Sequence, residues 1–153
     1  MNADHPLTVA AILPHVGRML LLDELLDHGP AHVVCGVTVQ PASMFCDGTA
    51  GVPAWVGLEY MAQTVCAFSG VEEVRAGLKP TIGLLLGTRS YQCEVEWFPL
   101  GAALRIRADV LMRDDNDLVA FACTIHDADR RVAHGDVKAY RPKNVLELLG
   151  GSR

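Results

Sequence analysis

Along the second half of the chain, hydrophobic and polar residues alternate with period two. Tyr91, Cys93, Val95 and Trp97 are interleaved with Ser90, Gln92, Glu94 and Glu96, the pattern of a half-buried strand. Leu104, Ile106, Ala108 and Val110 alternate with Arg105, Arg107 and Asp109 in a second strand. Leu118 to His126 predicts a third, and Arg131 to Tyr140 a fourth that Pro142 ends. The joints are Pro99-Leu100-Gly101, the polar run Arg113 to Asp117, and Asp127 to Arg130. Connections this short predict that sequential strands are neighbours in an antiparallel meander. Val145 to Leu149 then suggests a helical turn.

The first half follows other periods. Leu7 to Leu13 predicts a short helix, capped by Thr8 and stopped before Pro14. Met19 to Asp27 is leucine-rich, which favours helix, but it is short and closed by His28-Gly29-Pro30, so helix and strand both stay open. The valine-rich run Ala31 to Gln40 reads as a strand, and two strands here would form a hairpin about Gly29-Pro30. Pro41 to Val52 is a loop.

Between these halves lies Pro53 to Gly70, apolar on nearly every face. Its proline suits the first turn of a helix, and Gly70 is a candidate C-cap or break, with an amphipathic continuation as far as Gly77. A helix of this kind belongs inside a protein or a membrane. Glu59, Gln63 and a length short of a span of roughly 20 residues argue against lipid. Burying the Glu59 carboxylate alone is costly, so a raised pKa or a partner is expected, and the residue is a candidate for function. One long apolar helix with strands on either side in sequence predicts an α+β fold, a curved antiparallel sheet wrapped around the helix.

Composition narrows the function classes. The chain has 153 residues, 50% hydrophobic and 20% charged, which fits one globular domain over residues 1–153. A formal charge of −5 gives no support for a nucleic-acid binder. The cysteines (Cys35, Cys46, Cys66, Cys93, Cys123) are odd in number, lack a CxxC pair and sit among apolar neighbours, so they read as small hydrophobes. No metal-ligand spacing occurs around His5, His28 or His32, and no metal or cofactor is expected. The start of the chain lacks a basic region followed by an apolar core, which leads us to expect a cytoplasmic protein.

Three motifs resemble the hotdog-fold 3-hydroxyacyl-acyl-carrier-protein dehydratases. Leu13-Pro14-His15 with Met19-Leu20-Leu21-Leu22-Asp23 is similar to that family's N-terminal strand, which resolves the Met19 run as strand. Pro53-Ala54, with Glu59 six residues after the proline and then Met61-Ala62-Gln63, resembles the family's helix motif. Pro99-Leu100-Gly101 before Leu104 is similar to its proline-glycine turn. The resemblance spans roughly residues 7 to 142 and implies a hotdog fold. It implies Glu59 as the acid that helps the 3-hydroxyl leave, and Ala54 as the backbone N–H that holds the thioester oxygen. It also implies a histidine base fourteen residues before the glutamate, acting across a dimer. Phe45 stands there instead, and no histidine occurs between His32 and His126. The pattern is closest to the diverged dehydratase-like subgroup of aryl-polyene and polyketide-type clusters, where such a subunit can accompany another dehydratase.

Gln63, one helical turn after Glu59, is expected to support it, and His15 is the first replacement base to test. With a loop shorter than the family's, Asp47-Gly48-Thr49 would fall near its glycine-histidine; Asp47 and Thr49 read as turn residues, with Thr49 a candidate substrate contact. Cys46 has no nearby histidine to activate it, and His126 and His134 read as sheet or surface residues. Arg141 and Lys143 are candidates for docking an acidic carrier protein. Three functions follow: a dehydratase acting on 3-hydroxyacyl thioesters of acyl-carrier protein (or coenzyme A), a hotdog acyl-thioesterase using Glu59, or a non-catalytic accessory subunit of a dehydratase. A homodimer with continuous sheets is expected, or a pairing with a dehydratase partner, with no role for nucleic acid or membrane.

Overall fold

The computed structural model describes residues 7–81 and 84–140. Among these the chain runs α1 (Val9–Ile12), β1 (Glu24–Gly29), β2 (His32–Thr38), β3 (Val52–Pro53), α2 (Gly57–Arg75), β4 (Leu84–Cys93), β5 (Trp97–Phe98), β6 (Ala103–Arg113), β7 (Leu118–Asp127) and β8 (Arg130–Tyr140). Among the described residues, six strands form one antiparallel sheet in the order β1-β2-β6-β7-β8-β4, while β3 pairs with β5. The sheet packs its apolar face on α2, as the sequence predicts. The suggested turn at Val145 to Leu149 and the Arg141–Lys143 patch lie outside the described residues.

Alternation in the strands becomes rows of buried side chains across the sheet. Cys35, Ile106, Ile125 and Ala133 stand in register, as do Val33, Ala108, Cys123 and Gly135. All but the glycine are buried hydrophobics. A one-residue slip in any of these strands would turn its whole row to solvent, so the pattern fixes the register. Phe68 of α2 meets Phe121 of β7 edge-on at 5.5 Å, joining helix and sheet.

Three expectations are corrected. The Met19 run is not a strand throughout: Gly17–Met19 forms a 3-10 turn and pairing starts only at Glu24. Pro53 precedes the helix, closing β3 in extended conformation before a 3-10 turn at Ala54–Val56. The third correction concerns strand order. β4 begins seven residues before Tyr91, stops at Cys93, and pairs with β8 at the far edge instead of with β6. Bulges at Leu85/Gly87 and Thr88/Tyr91 disrupt its period, which hides it from an alternation argument. The chain then crosses the start of the helix through β5, anchored by Ala54 N–H to the Glu96 carbonyl at 3.0 Å, before entering β6.

Gly70 does not end the helix. A Cβ there would lie 1.8 Å from the Ile12 carbonyl oxygen, so glycine lets the end of α1 lie against α2. The true stop is Gly77, at φ 78°, where Gly77 N–H bonds Val74 O at 3.0 Å and Leu78 N–H bonds Glu73 O at 2.8 Å. That pair of bonds is a Schellman cap.

Two outcomes follow from this packing. Gly70→Ala is expected to destabilise by about 1–3 kcal/mol in denaturant unfolding, although alanine is the better helix former. Gly48→Ala, with nothing near its added Cβ, should be neutral. Equal stability for Gly70→Ala would refute the close approach. Burial also pushes the Cys35 and Cys123 thiols up to about 12 and Cys66 to about 11. Mass spectrometry after brief alkylation at pH 8 should therefore find the exposed Cys93 modified and Cys35 and Cys123 intact.

Candidate functional site

Glu59 sits in the first turn of α2, half-buried. It lines a cavity of about 390 Å³ with Met19, Leu21, Met44, Phe45, Trp55, Val56, Leu58 and Gln63. Apart from the carboxyl and the amide the wall is hydrocarbon, thioether and aromatic. Such a space takes an apolar chain and brings it against one acid.

Gln63 organises this space and is fully buried. Its Oε1 accepts the Leu21 N–H at 3.0 Å. Its Nε2 donates to the Met19 carbonyl at 2.8 Å and to Glu59 Oε1 at 3.1 Å. The neighbours dictate the amide's orientation, because Leu21 offers a donor and Met19 an acceptor. The second N–H is then forced toward Glu59. The carboxyl thus has the partner its placement called for, held through Oε1 only. Among the described residues, Oε2 makes no hydrogen bond. The helical spacing of Glu59 and Gln63 was legible in sequence, whereas the backbone of residues 19–21 as the other half of the clamp was not.

The remaining candidates separate. Ala54 is buried beside the cavity, but its N–H donates to Glu96 O at 3.0 Å, so the donor expected to hold a thioester oxygen is already engaged. Its carbonyl accepts the Tyr91 hydroxyl, with the Cys93 thiol 3.6 Å away. Gly57 makes this approach possible, since a Cβ there would meet the Tyr91 hydroxyl at 2.1 Å. Tyr91 was read only as an inward strand residue, and nothing in the local pattern marks its hydroxyl as a brace for the helix start.

Thr49 does not line the cavity. Its hydroxyl and N–H both bond Asp47 Oδ1, at 2.7 and 2.9 Å, and Ala50 N–H bonds the same oxygen at 3.2 Å. These bonds, the Thr49 hydroxyl first, hold the Asp47 carboxyl below its ordinary range, so this is a self-contained turn and a poor base. His15 also lies outside the lining, with Nδ1 buried and without a hydrogen bond. Phe45, in the position where the resemblance places a histidine, does face the cavity. Its backbone is left-handed at φ 66° and its ring meets Trp55 edge-on at 5.3 Å. Phe45 and Trp55 remain 52% and 63% exposed, so the cavity opens beside two uncovered aromatic rings. Among the described residues, the cavity therefore presents an acid and no imidazole.

Comparison with known proteins matches this arrangement to related chains. A solved structure described as the dehydratase heterocomplex ApeI:P from Xenorhabdus doucetiae contains a chain 28% identical to this one, with TM-score 0.85, covering 97% of this chain and 100% of that one. Thioesterase superfamily member 2 of zebra fish is 17% identical, with TM-score 0.62 and coverage of 85% and 90%. A hypothetical thioesterase with coenzyme A from Streptococcus pneumoniae is 15% identical, with TM-score 0.58 and coverage of 76% and 86%. The last two share the fold only, which is the hotdog fold. No curated protein matches. The family model for ApeP-like proteins, described as ApeP dehydratase, matches residues 7–150, and the chain belongs to the ApeP-like dehydratase family.

Proposed function

We propose that this chain supplies the carboxyl half of a dehydratase site for 3-hydroxyacyl thioesters of acyl-carrier protein (or coenzyme A). The observation that carries the reading is the Glu59 carboxyl, held by Gln63 through one oxygen on the wall of an apolar cavity. The acyl chain lies along the apolar wall with its 3-hydroxyl at Glu59. The acid protonates the departing hydroxyl while a base removes a proton from C2. One proton is given and one is taken, so water leaves and a carbon–carbon double bond forms.

Negative charge builds on the thioester oxygen as the C2 proton departs. With the Ala54 N–H engaged, this role passes to Trp55. Tyr91 holds the Ala54 carbonyl, and a trans peptide points its N–H opposite to its carbonyl. The Trp55 N–H lies in the opening turn, where N–H groups lack helical acceptors and the helix dipole favours an anion.

Among the described residues, no histidine lines this cavity. We infer that a second subunit brings the base, a histidine-bearing dehydratase that also covers the exposed Phe45 and Trp55 rings. The Xenorhabdus doucetiae structure, described as a dehydratase heterocomplex, supports this reading. Where that partner only borrows the fold, the chain is an accessory subunit. A thioesterase would release free thiol in the same assay.

With the partner present, a 3-hydroxyacyl thioester should lose water, and Glu59→Gln should lower kcat/KM by about 10²–10⁴-fold. Full activity in Glu59→Gln would end the assignment of the acid. Phe45→His tests the gap directly. Histidine is enriched at positive φ, so the backbone tolerates it. The variant alone should dehydrate about tenfold or more faster than the native chain, a gain that adding Glu59→Gln should abolish. No gain in a folded Phe45→His would show that a missing imidazole at this position is not what limits the chain.

A further inference from the structure

Several features of the fold combine to aim the Tyr91 hydroxyl at one atom. A bulge between Thr88 and Tyr91 bends β4 just before the residue, a device that re-aims a side chain. Opposite Tyr91 on β8 stands Gly135, where a Cβ would lie 2.5 Å from the Ser90 carbonyl oxygen, so the two strands come unusually close here. At the other end of the side chain, Gly57 leaves the space that the hydroxyl occupies. The target is the Ala54 carbonyl.

That carbonyl gathers donors. It accepts the Tyr91 hydroxyl, the Gly57 N–H and, at 3.6 Å, the Cys93 thiol. The thiol is the weakest of the three. The N–H of the same peptide belongs to Trp55, which lines the Glu59 cavity, and it meets no acceptor among the described residues. The carbonyl and N–H of one peptide share a conjugated system. Donors on its oxygen draw electron density from its nitrogen and make the N–H a stronger donor, the polarisation that couples hydrogen bonds in a chain.

We propose that Tyr91 is a positioning residue for the reaction, fixing and polarising the Ala54–Trp55 peptide so that the Trp55 N–H can hold the charge that builds on the thioester oxygen. The inference deepens the reading of Trp55 as that donor and rests on it. Tyr91 does not line the cavity, so it acts through the peptide and not on the substrate. Its effect therefore falls on the charged transition state more than on the bound thioester, that is, on kcat more than on KM.

Graded changes at this hydroxyl test the proposal. Tyr91→Phe keeps the ring and removes the donor. With the partner subunit present it should lower kcat for dehydration about tenfold and leave KM within about twofold, less than the roughly 10²–10³-fold cost of deleting an oxyanion donor outright. Replacing Tyr91 by 3-fluorotyrosine makes the phenol more acidic. Burial pushes the Tyr91 hydroxyl well above the usual tyrosine range, so the fluorinated phenol stays protonated at neutral pH and donates more strongly. It should raise kcat about twofold, a gain that a brace serving stability alone would not give. In proton–nitrogen correlation spectra of the full-length chain by itself, the Trp55 amide nitrogen should move upfield in Tyr91→Phe and downfield with 3-fluorotyrosine. A Trp55 signal that stays in place in a folded Tyr91→Phe overturns the inference, whether or not the chain turns over. So does a loss that falls on KM alone, or a rate that drops with 3-fluorotyrosine. A Trp55 signal that moves while kcat does not overturns Trp55 as the oxyanion donor, and with it the role of Tyr91 in the reaction.

Discussion

The carboxamide of Gln63 is the interaction on which the site depends. It is fully buried, and all its contacts are met: Leu21 N–H on its oxygen, Met19 O and Glu59 Oε1 on its nitrogen. Buried polar groups persist only when satisfied in this way, and a network of this kind fixes one geometry. The amide pins the end of the 3-10 turn Gly17–Met19 and the residues just after it to the second turn of α2. In doing so it sets the wall of the cavity and the direction of the carboxyl together. An apolar residue at this position would leave the Met19 carbonyl and Leu21 N–H unpaired, each costing about 1–3 kcal/mol.

The rest of the fold supports that clamp. The helix is held against the sheet by in-register rows of small and branched side chains, and three glycines along it have separate tasks. Gly57 admits the Tyr91 hydroxyl, Gly70 admits α1, and Gly77 closes the helix. The start of the helix is tied twice to distant chain, through Ala54 N–H to Glu96 and Ala54 O to Tyr91. The peptide that follows Ala54 is therefore rigid. Rigidity at this point is what electrostatic stabilisation of a developing charge requires.

Much of this was legible in the chain. Alternation in Leu104–Val110 and Leu118–His126 defined the central strands because those strands are regular. The hairpin at Gly29-Pro30 and the cap at Thr8 rest on local turn and capping chemistry, which sequence carries well. Glu59 stood out as a carboxylate in an apolar helix, with Gln63 one turn away. What stayed hidden was long-range or irregular. The bulges of β4 scramble its period, and its pairing with β8 depends on a crossing over the helix start. The engagement of the Ala54 N–H by Glu96 joins residues far apart in sequence, so a motif match could assign that N–H a role it is not free to play. Phe45 is the instructive case: the sequence marked a gap in the family pattern, and the fold puts that gap on the cavity wall.

A dehydration site needs an acid and a base acting on one substrate, and we propose that this chain supplies the acid. Its cavity, its held carboxyl and its uncovered aromatic rim fit one half of a shared site. The most direct measurement is an experimental structure of the assembled complex with a non-reactive 3-hydroxyacyl thioester analogue. The account predicts Glu59 Oε2 within about 3 Å of the 3-hydroxyl, and a histidine of the partner subunit facing C2. An analogue seated away from Glu59, or one with no partner imidazole beside it, would contradict it.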